Sequence, residues 1–519
     1  MLAKKIHFFL LVLLMILFSP SNSPNAHQAA HPNPIVPLKI VSEPATPFLD
    51  SSINYQNQSP IFIDGNANFS STAAAEGWEG NGTVDDPYII KGLQITGSVN
   101  STLLEIQNTD IYFQILNCSF SGGDYGIYLE NVTHGTIEQT KVTNAALYGI
   151  QLESSHNNTL TDNEVTDNKD GINLFLSDNN TLISNKITSN FGYGIHTFRS
   201  GWKIYPTFQI NYGSFNTLIN NSISHNGDDG LFLDHSWFSI VRKNTITKNG
   251  LNGISTLISS ESLIANNTII NNGKHGIQIE QGESDVVKHN VVANNTGYGV
   301  RFLGEGLLNR VEWNDFLGNN PSGSSQVWDD YNFNNTYAHN YWADWTEPDR
   351  NADGIVDKSY PIEVRTRTIP AFNEDPTPLV DPFHLTPITL KLLNGVGKIL
   401  PDLIPIQWAA VNDSLGHAIV YAIFYSANGG KNWFSIASDT TTTSYDWNTT
   451  AAVDGSNYLV KVVATCSAGF ATTAISDPIL ENQEDDSIPG FLVIETATVL
   501  ILLGIGAVVG VCKWRHKRI

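Results

Sequence analysis

Cysteine and methionine are scarce in this sequence, which has three cysteines and two methionines among 519 residues. Cys118, Cys466 and Cys512 lie far apart, so no pair has the spacing of a disulfide framework or of a CxxC metal motif. We therefore expect packing and hydrogen bonding, rather than cross-links, to hold the fold together. Cys118 falls in the repeat described below, where we predict that it is a small buried apolar residue.

Basic residues and amphipathic helices are also few. The chain has 28 Lys and Arg against 50 Asp and Glu, which gives a formal net charge of −22. Binding of nucleic acid requires a basic face, so this composition argues against nucleic acid as a partner. No ten-residue window in the repeat region carries apolar residues at helical spacing.

What is present is a repeat with a fixed period. A Gly followed by an aliphatic residue recurs in steps of 22 or 23 residues, with one step of 36, at Gly126, Gly149, Gly171, Gly194, Gly230, Gly253, Gly276 and Gly299. A second marker, an Asn two residues before Val or Ile, keeps phase with it at Asn163, Asn185, Asn221, Asn244, Asn267 and Asn290. A fixed period of 20–50 residues indicates a solenoid.

Each unit has the pattern of strands. Ile172 and Leu174 flank Asn173, and short Asn, Asp, Gly and Ser clusters separate such stretches. We predict an all-β fold: a right-handed parallel β-helix of about 22–23 residues per coil, with the Gly markers aligned along its axis. We expect the repeated Asn to lie at left-handed bends and to bond to the Asn of neighbouring coils. Trp and Tyr residues within 340–362 should close the C-terminal end.

The pattern outside the repeat predicts several further segments. Residues 386–480 alternate at strand period with turns about every ten residues, which predicts an Ig-like or fibronectin III-like β-sandwich. A long apolar run followed by a basic tail predicts a single-pass membrane protein with its N-terminal part outside the cell, and N-x-S/T sequons are consistent with a glycoprotein. The predicted boundaries are a signal peptide at 1–25, a Pro-rich linker at 26–56, the β-helix at 57–383, the sandwich at 384–480, an acidic linker at 481–487, a transmembrane helix at 488–512 and a cytoplasmic tail at 513–519.

A D-x-N-x-D-G-x-x-D stretch near the end of the β-helix predicts a calcium loop. Alternate residues of such a loop can turn oxygen atoms inward, and the Gly permits the sharp turn. The bidentate Glu of an EF-hand is missing, and Tyr360 occupies its place. A structural Ca²⁺ ion and a metal-free cluster of Asx turns both fit the pattern. The candidate ligands are Asp349, Asn351, Asp353, the carbonyl of Ile355, and Asp357.

The Gly-aliphatic and Asn-x-aliphatic pattern resembles the parallel β-helix repeats of NosD-like and carbohydrate-binding/sugar-hydrolase proteins, over about 60–380. The segments GNGT…DPYII, at the start of the repeat region, and NYW…DGIVD, at its end, look like those of archaeal surface members of this group. NosD proper is associated with copper delivery, which this resemblance would imply here. Copper(I) favours sulfur ligands, whereas Met1 and Met15 both fall in the predicted signal peptide and no CxxC exists. Copper handling is therefore disfavoured.

The strand after each Gly presents two outward columns that suit a polysaccharide. One column holds Tyr128, Gln151, Asn173, His196, Phe232, Ser255, Gln278 and Arg301, and the other holds Glu130, Glu153, Phe175, Asp234, Leu257 and Glu280. The 36-residue step contains an insertion at about 196–208 whose side chains could stack on a sugar ring. A solvated sheet face and a loop that covers a coil edge are the alternatives. The candidate ligand-binding residues are Arg199, Trp202, Lys203, Tyr205, His196 and Asp234.

An enzymatic alternative rests on Asp228 and Asp229 in GDDGLFL. This turn resembles the paired-carboxylate turn of polygalacturonases, where carboxylates act on a glycosidic bond. The NTD, GHG and RIK motifs of that family are missing, and His275 is expected two coils away, about 9–10 Å from Asp229. We therefore predict a surface protein that binds glycans or surface polymers without catalysis. The alternatives are a polysaccharide hydrolase or lyase, with Asp228, Asp229 and His275 as candidates, and a purely structural coat protein.

Overall fold

The computed structural model describes residues 55–198, 214–321, 323, 325–330, 334–351, 353–364, 373–386, 388–392, 402–453, 458–476 and 479. The predicted signal peptide, acidic linker, transmembrane segment and tail lie outside these ranges, as does most of the Pro-rich linker. Most of the predicted insertion also lies outside them.

Within the described ranges, short strands follow one another, and a single helix, α1 (Gly65–Glu76), lies between the second and third strands. The first eighteen are β1 (Gln56–Gln58), β2 (Ile61–Asp64), β3 (Tyr88–Lys91), β4 (Leu93–Gly97), β5 (Thr102–Thr109), β6 (Phe113–Leu116), β7 (Ser119–Gly122), β8 (Tyr125–Val132), β9 (Gly135–Glu138), β10 (Lys141–Thr143), β11 (Tyr148–Glu153), β12 (Thr159–Thr161), β13 (Glu164–Thr166), β14 (Asp170–Phe175), β15 (Thr181–Ile183), β16 (Lys186–Thr188), β17 (Ile195–Phe198) and β18 (Thr217–Ile219). The next eighteen are β19 (Ser222–Ser224), β20 (Leu231–Asp234), β21 (Ile240–Arg242), β22 (Thr245–Thr247), β23 (Ile254–Leu257), β24 (Leu263–Ala265), β25 (Thr268–Ile270), β26 (Ile277–Glu280), β27 (Val286–Lys288), β28 (Val291–Ala293), β29 (Val300–Leu303), β30 (Arg310–Glu312), β31 (Asp315–Leu317), β32 (Val327–Asp329), β33 (Thr336–Ala338), β34 (Tyr341–Trp342), β35 (Tyr360–Val364) and β36 (Asn373–Asp375).

These strands form three parallel sheets, because each strand from β1 to β32 pairs with the one three places later. Sheet I has twelve strands, β1, β4 and every third strand to β34. Sheet II has thirteen, β2, β5 and every third strand to β35, with β36 added antiparallel at the end. Sheet III has eleven, β3 to β33. One coil thus contributes one strand to each sheet, which confirms the predicted right-handed parallel β-helix.

Aliphatic side chains fill the interior in stacked columns. Ile150 and Ile172 are opposite each other on neighbouring strands, and both are fully buried. The Gly markers align along the axis as predicted: a Cβ on Gly171 would lie 2.4 Å from the carbonyl oxygen of Gly194 and 2.7 Å from Ile187 Cγ2. Glycine is required at this corner because the next coil approaches too closely for any side chain.

Asparagine ladders run along the turns. The backbone N–H of Asn163 donates to Asn185 Oδ1 (3.0 Å), and its side-chain Nδ2 donates to the same oxygen (2.9 Å) and to the carbonyl of Ile137 (2.8 Å). The left-handed residue is the one before each Asn, such as Asp162 at φ 52°, so the predicted placement of Asn at the bend was wrong by one residue. Two parallel ladders, which contain Asn158 and Asn168, were not predicted.

A helix and a stack of rings close the two ends. Helix α1 lies at the N-terminal end, and its Phe69 is fully buried, with its ring centroid 5.2 Å from that of Phe113. The helix ends at Gly77, which has a positive φ of 70°. At the other end the Trp342 ring lies 4.0 Å from Tyr360 and 4.5 Å from Phe316 by their centroids, which confirms that aromatic residues close this end.

Two antiparallel sheets follow the β-helix. Their strands are β37 (Leu390–Leu392), β38 (Leu403–Trp408), β39 (Ile419–Ser426), β40 (Phe434–Thr440), β41 (Ser444–Asn448), β42 (Leu459–Cys466) and β43 (Ala471–Ile475). The sheet orders are β37-β38-β41 and β40-β39-β42-β43. They share a buried core, and this core includes Val291 and Ala293 from the outer side of sheet I. The pair therefore packs against the flank of the β-helix, and its assignment to the Ig-like or fibronectin III-like class stays a prediction.

The predicted single-pass membrane localisation needs correction. Within the described ranges, no helix is long and apolar enough to cross a bilayer. The predicted segment 488–512 lies outside those ranges.

Candidate ligand-binding face

The outer side of sheet II carries three side-chain columns. Relative to each marker Gly, the residues at positions −1, +2 and +4 face outward, whereas those at +1 and +3 fill the core. Adjacent strands keep these positions in register, for example Gln151 opposite Tyr128 and opposite Asn173. The column at +2, which we call the central column, holds Tyr128, Gln151, Asn173, His196, Phe232, Ser255, Gln278, Arg301 and Trp328.

Aromatic rings are grouped in a first patch on β14, β17 and β20. The His196 ring stacks on Phe232 with centroids 5.0 Å apart and 6° between planes, and the Phe175 and Phe198 rings stack at 5.5 Å. Tyr193, in the −1 column, lies 5.5 Å from Phe232. These rings form one apolar surface.

A second patch lies further along sheet II, on β29 and β32 and in the turns before β26 and β29. The Tyr298 ring is 5.7 Å from His275 and 5.8 Å from Trp328 by their centroids. Arg301 Nη1 lies 3.1 Å from His275 Nε2. The two patches are separated by the coil that carries Ser255, so the central column alternates between rings and polar groups.

Several polar atoms of the central column lack a protein partner. Their atoms are buried and make no hydrogen bond within the described ranges: Gln151 Oε1, His196 Nε2, Gln278 Oε1, Arg301 Nε and Trp328 Nε1. Buried polar groups are nearly always paired in folded proteins. Five unpaired atoms in one column therefore point to a ligand with donors and acceptors.

The protonation of His196 follows from its contacts. Burial lowers the pKa of His196 to about 4, so the ring is neutral at neutral pH. The amide Nδ2 of Asn173 lies 3.3 Å from His196 Nδ1, and because an amide nitrogen only donates, Nδ1 accepts. The proton then sits on Nε2, which is one of the unpaired atoms.

Two of the three predicted catalytic residues, Asp229 and His275, lie in the −1 column, whereas Asp228 is one residue further from the marker Gly. Asp229 Oδ1 accepts from the backbone N–H of Asn252 (2.7 Å), Asn252 Oδ1 accepts from that of His275 (3.2 Å), and His275 Nδ1 accepts from that of Tyr298 (2.9 Å). Asp229 and His275 are thus two coils apart, as expected, with Asn252 between them. These three side chains bind the backbone of the next coil, a role that stabilises the turn.

The pKa values of Asp229 and His275 are shifted in opposite directions. Burial raises the pKa of Asp229 to about 6. Burial, and next the charge of Arg301, lower the pKa of His275 to about 3. At neutral pH Asp229 is therefore mostly charged and His275 is neutral.

Of the six predicted binding residues, the structure describes His196 and Asp234. They lie on adjacent strands of sheet II, β17 and β20, and Asp234 Oδ1 is 2.5 Å from Nδ1 of His235. The other four, Arg199, Trp202, Lys203 and Tyr205, lie outside the described ranges.

The predicted calcium ligands share one exposed loop. Asp349 Oδ2 accepts from the N–H of Gly354 (2.9 Å), and Asp353 Oδ1 accepts from the N–H of Ile355 (2.9 Å). Asn351 Nδ2 donates to Asp353 Oδ2 (3.0 Å). Asp357 Oδ2 accepts from the N–H of Arg350 (3.1 Å). The calcium site stays a prediction.

Sequence reasoning missed two groups of residues. One comprises the tyrosines of the −1 column, such as Tyr193 and Tyr298, together with Trp328, which lies beyond the last marker Gly and so outside the repeat pattern. The other is a buried group at the junction of the β-helix and the antiparallel sheets: His384, Asp413, His417 and Cys466. The only sequence signal for this group was the spacing of Asp413 and His417, four residues apart.

Family models agree with this architecture. The model of the right handed beta helix region matches residues 92–255, and the model of the periplasmic copper-binding protein NosD matches residues 205–347. The chain is a right-handed β-helix repeat protein. Within that class, its residues 205–347 are of the NosD type. The comparisons do not support the archaeal origin suggested by the ends of the repeat.

Several solved structures are similar to parts of this chain at low sequence identity and with TM-scores below 0.5. The A-module of the Azotobacter vinelandii mannuronan C-5 epimerase AlgE4 is 14% identical, covers 53% of this chain and 90% of its own, and gives a TM-score of 0.43. The periplasmic alginate epimerase AlgG is 13% identical, covers 59% of this chain and 77% of its own, and gives a TM-score of 0.35. The Dettilon tailspike protein is 12% identical, covers 82% of this chain and 94% of its own, and gives a TM-score of 0.41. None of the curated proteins matches the chain. These similarities concern the fold alone.

Proposed function

We propose that the outer side of sheet II binds a polysaccharide or surface glycan without catalysis. The observation that carries this proposal is the central column, which combines aromatic rings with buried polar atoms that have no protein partner among the described residues. A sugar offers hydroxyl groups that both donate and accept, and C–H faces that pack on rings. Such a ligand could form hydrogen bonds with the polar atoms of the column and pack on its rings.

The repeat suits a polymer rather than a single sugar. Neighbouring strands of a sheet lie about 4.8 Å apart, so the seven steps from Gln151 to Trp328 extend over roughly 34 Å. A linear glycan along the axis would meet the same column in each coil. Binding would then be the sum of several weak contacts.

Charge favours a neutral glycan. The +4 column carries Glu130, Glu153 and Glu280 beside the central column, and the whole chain has a formal net charge of −22. A uronate-rich polymer would be repelled along most of this face. Arg301, at the C-terminal end, is the place where a single acidic sugar would be tolerated.

The enzymatic alternative is favoured by one observation, the raised pKa of Asp229. A general acid in glycoside hydrolysis needs such a pKa, and a second carboxylate must act with it. Asp229 Oδ1, however, is engaged by the backbone of Asn252. Polysaccharide breakdown that disappears in Asp229→Asn would support the enzyme.

Copper handling, which the name of NosD suggests, finds little support in the side chains. Copper(I) favours several sulfur ligands. Cys118 is buried in the β-helix, its Sγ lies 3.4 Å from the carbonyl of Leu116, and burial raises the pKa of its thiol to about 11. Cys466 lies in a different part of the chain, so the two described cysteines do not form a joint site.

The test is a glycan array with the full-length protein, followed by titration with the best ligand. Phe232→Ser removes a central ring, and the fold tolerates Ser at this position because Ser255 occupies it in the next coil. We expect the Kd to rise about tenfold or more, since ring packing is worth roughly 0.5–1.5 kcal/mol beyond the buried area. Phe434→Ala, which removes a partly exposed ring from the antiparallel sheets, should leave the Kd unchanged. An array with no binding at all would favour a purely structural protein, and an unchanged Kd in Phe232→Ser would exclude this face.

A further inference from the structure

Four potential metal ligands converge where the β-helix meets the antiparallel sheets. His384 follows β36, Asp413 and His417 lie between β38 and β39, and Cys466 ends β42. One candidate ligand atom from each lies within 4.8 Å of all the others. The side chains of His384 and Asp413 are 0% and 2% exposed, that of His417 is 12% exposed, and Cys466 is 2% exposed as a residue.

The separations within this cluster match those around one small ion. His384 Nε2 lies 3.6 Å from Cys466 Sγ and 3.7 Å from Asp413 Oδ2, and His417 Nδ1 lies 2.9 Å from Asp413 Oδ2. Bonds of 2.0–2.3 Å to a tetrahedral ion place neighbouring ligand atoms about 3.3–3.7 Å apart. The three measured separations lie within a few tenths of an ångström of that range.

In each histidine, the ring nitrogen that faces away from the cluster is hydrogen-bonded to a side chain of the β-helix. His384 Nδ1 is hydrogen-bonded to Asp315 Oδ2, whose side chain is fully buried and also accepts from the N–H of Phe383 (3.1 Å). His417 Nε2 lies 2.8 Å from Thr268 Oγ1. Each ring therefore turns its other nitrogen into the cluster. Metal-binding histidines almost always have their second nitrogen fixed in this way by a carboxylate or another polar group.

Cys466 adds a sulfur ligand to the cluster. Its Sγ lies 3.6 Å from His384 Nε2, the ring nitrogen that is not bonded to Asp315. The thiolate is the form of cysteine that binds metals. The cluster thus brings together one sulfur atom, one carboxylate and two imidazoles in a largely buried space.

We propose that His384, Asp413, His417 and Cys466 bind one Zn²⁺ ion in a closed, structural site. Zinc takes Cys, His and Asp ligands in tetrahedral geometry, whereas Ca²⁺ and Mg²⁺ require oxygen ligands. All four positions are filled by protein, which leaves none for a substrate. The ion ties the segment after β36, the β38–β39 turn and the end of β42 together. Through Asp315 and Thr268 it joins them to the flank of the β-helix.

The experiment measures metal in the full-length protein, produced without a polyhistidine tag and dialysed against a chelator. Readdition of Zn²⁺ should restore one ion per chain and raise the Tm. Readdition of Co²⁺ should give the visible bands of a tetrahedral site with a thiolate-to-cobalt charge-transfer band, which reports Cys466 in the unaltered protein. Stoichiometric binding without that band, or no binding of either metal, would overturn the proposal.

Variants locate the ion. Cys466→Ser should abolish the charge-transfer band and the bound zinc, whereas Cys118→Ser, at the other described cysteine, should retain both. Thr268→Val removes the contact to His417 Nε2 without touching a ligand, and we expect it to weaken zinc binding about 10–100-fold. Equal zinc loss in Cys118→Ser, or full affinity in Thr268→Val, would contradict this assignment.

Discussion

The body of the β-helix and its junction with the antiparallel sheets are built in opposite ways. In the body, one residue type recurs at one place in coil after coil, as in the ladder from Asn163 to Asn290. At the junction, each contact occurs once, as between His384 and Asp315, which are 69 residues apart. Repetition leaves a pattern in a single sequence, whereas a unique contact between distant residues leaves none. The junction is therefore where unexpected chemistry is found.

The largest expected effect concerns the repeated part. Asn244→Leu removes a side chain whose Oδ1 accepts from the backbone N–H of Asn221 (2.9 Å) and whose Nδ2 donates to Leu218 O (2.9 Å) and Asn267 Oδ1 (3.0 Å). Each buried group left unpaired costs about 1–3 kcal/mol, so the free energy of unfolding should fall by more than about 3 kcal/mol. Chemical denaturation measures this. Thr245→Ala, exposed on the same coil, is the control, and a loss in Asn244→Leu no larger than in the control would contradict the ladder's role.

The pH dependence of stability gives the second effect. The folded pKa of Asp229 is about 6, whereas the unfolded value is about 4. Between these values the folded state binds more protons, so stability falls as pH rises from about 4 to 6. The unaltered protein should therefore lose about 2–3 kcal/mol of unfolding free energy between pH 4 and pH 7, and Asp229→Asn should not show this loss. Asp228→Asn, one residue earlier, should keep most of the slope, and identical profiles for wild type and Asp229→Asn would show that burial does not act on this carboxyl.

The junction itself gives a smaller effect. Val291 lies on the outer side of sheet I, two strands from Thr245 in the same register, but is fully buried against the antiparallel sheets. Val291→Ala removes two buried carbons, so we expect a loss of about 1.5–2 kcal/mol in unfolding free energy, at about 0.8 kcal/mol per carbon. Thr245→Ala again serves as control because its side chain is exposed. If both variants behave alike, the sheets do not stay packed on the β-helix in solution.

The smallest effect tests the calcium loop. Extracellular calcium modules bind with Kd of about 10⁻⁴–10⁻³ M, so 1 mM Ca²⁺ should stabilise the protein by about 0.4–1.4 kcal/mol. Calcium added to chelator-dialysed protein should therefore raise the Tm slightly. Asp349→Asn should abolish this shift but not a shift produced by zinc. An unchanged Tm in the unaltered protein would count against the loop.

Much of the β-helix was predictable because its physics repeats. The marker glycines, the strand alternation and the burial of Cys118 all follow from close stacking of equivalent residues. Helix α1 was missed because it buries only Phe69 and Ala73, too few residues for an amphipathic pattern. The predicted position of the left-handed bend was wrong by one residue, because the residue at the bend is free to vary from coil to coil.

The candidate site was predictable in part for the same reason. His196 and the central column belong to the repeat, so alternation alone turned them outward. Trp328 and Tyr298 were missed, because the first lies past the last marker and the second precedes its Gly. The cluster around Cys466 depends on how the antiparallel sheets pack against sheet I, which no local spacing encodes.

The closed ends of the β-helix have a consequence for assembly. An uncovered terminal coil would offer unpaired backbone groups to another molecule, and copies could join end to end into a filament. Helix α1 seals one end with Phe69, and the antiparallel β36 terminates sheet II at the other. The length of the binding face is therefore set within one molecule, and duplication of a single 23-residue unit would extend it by one further sugar contact without creating a new end.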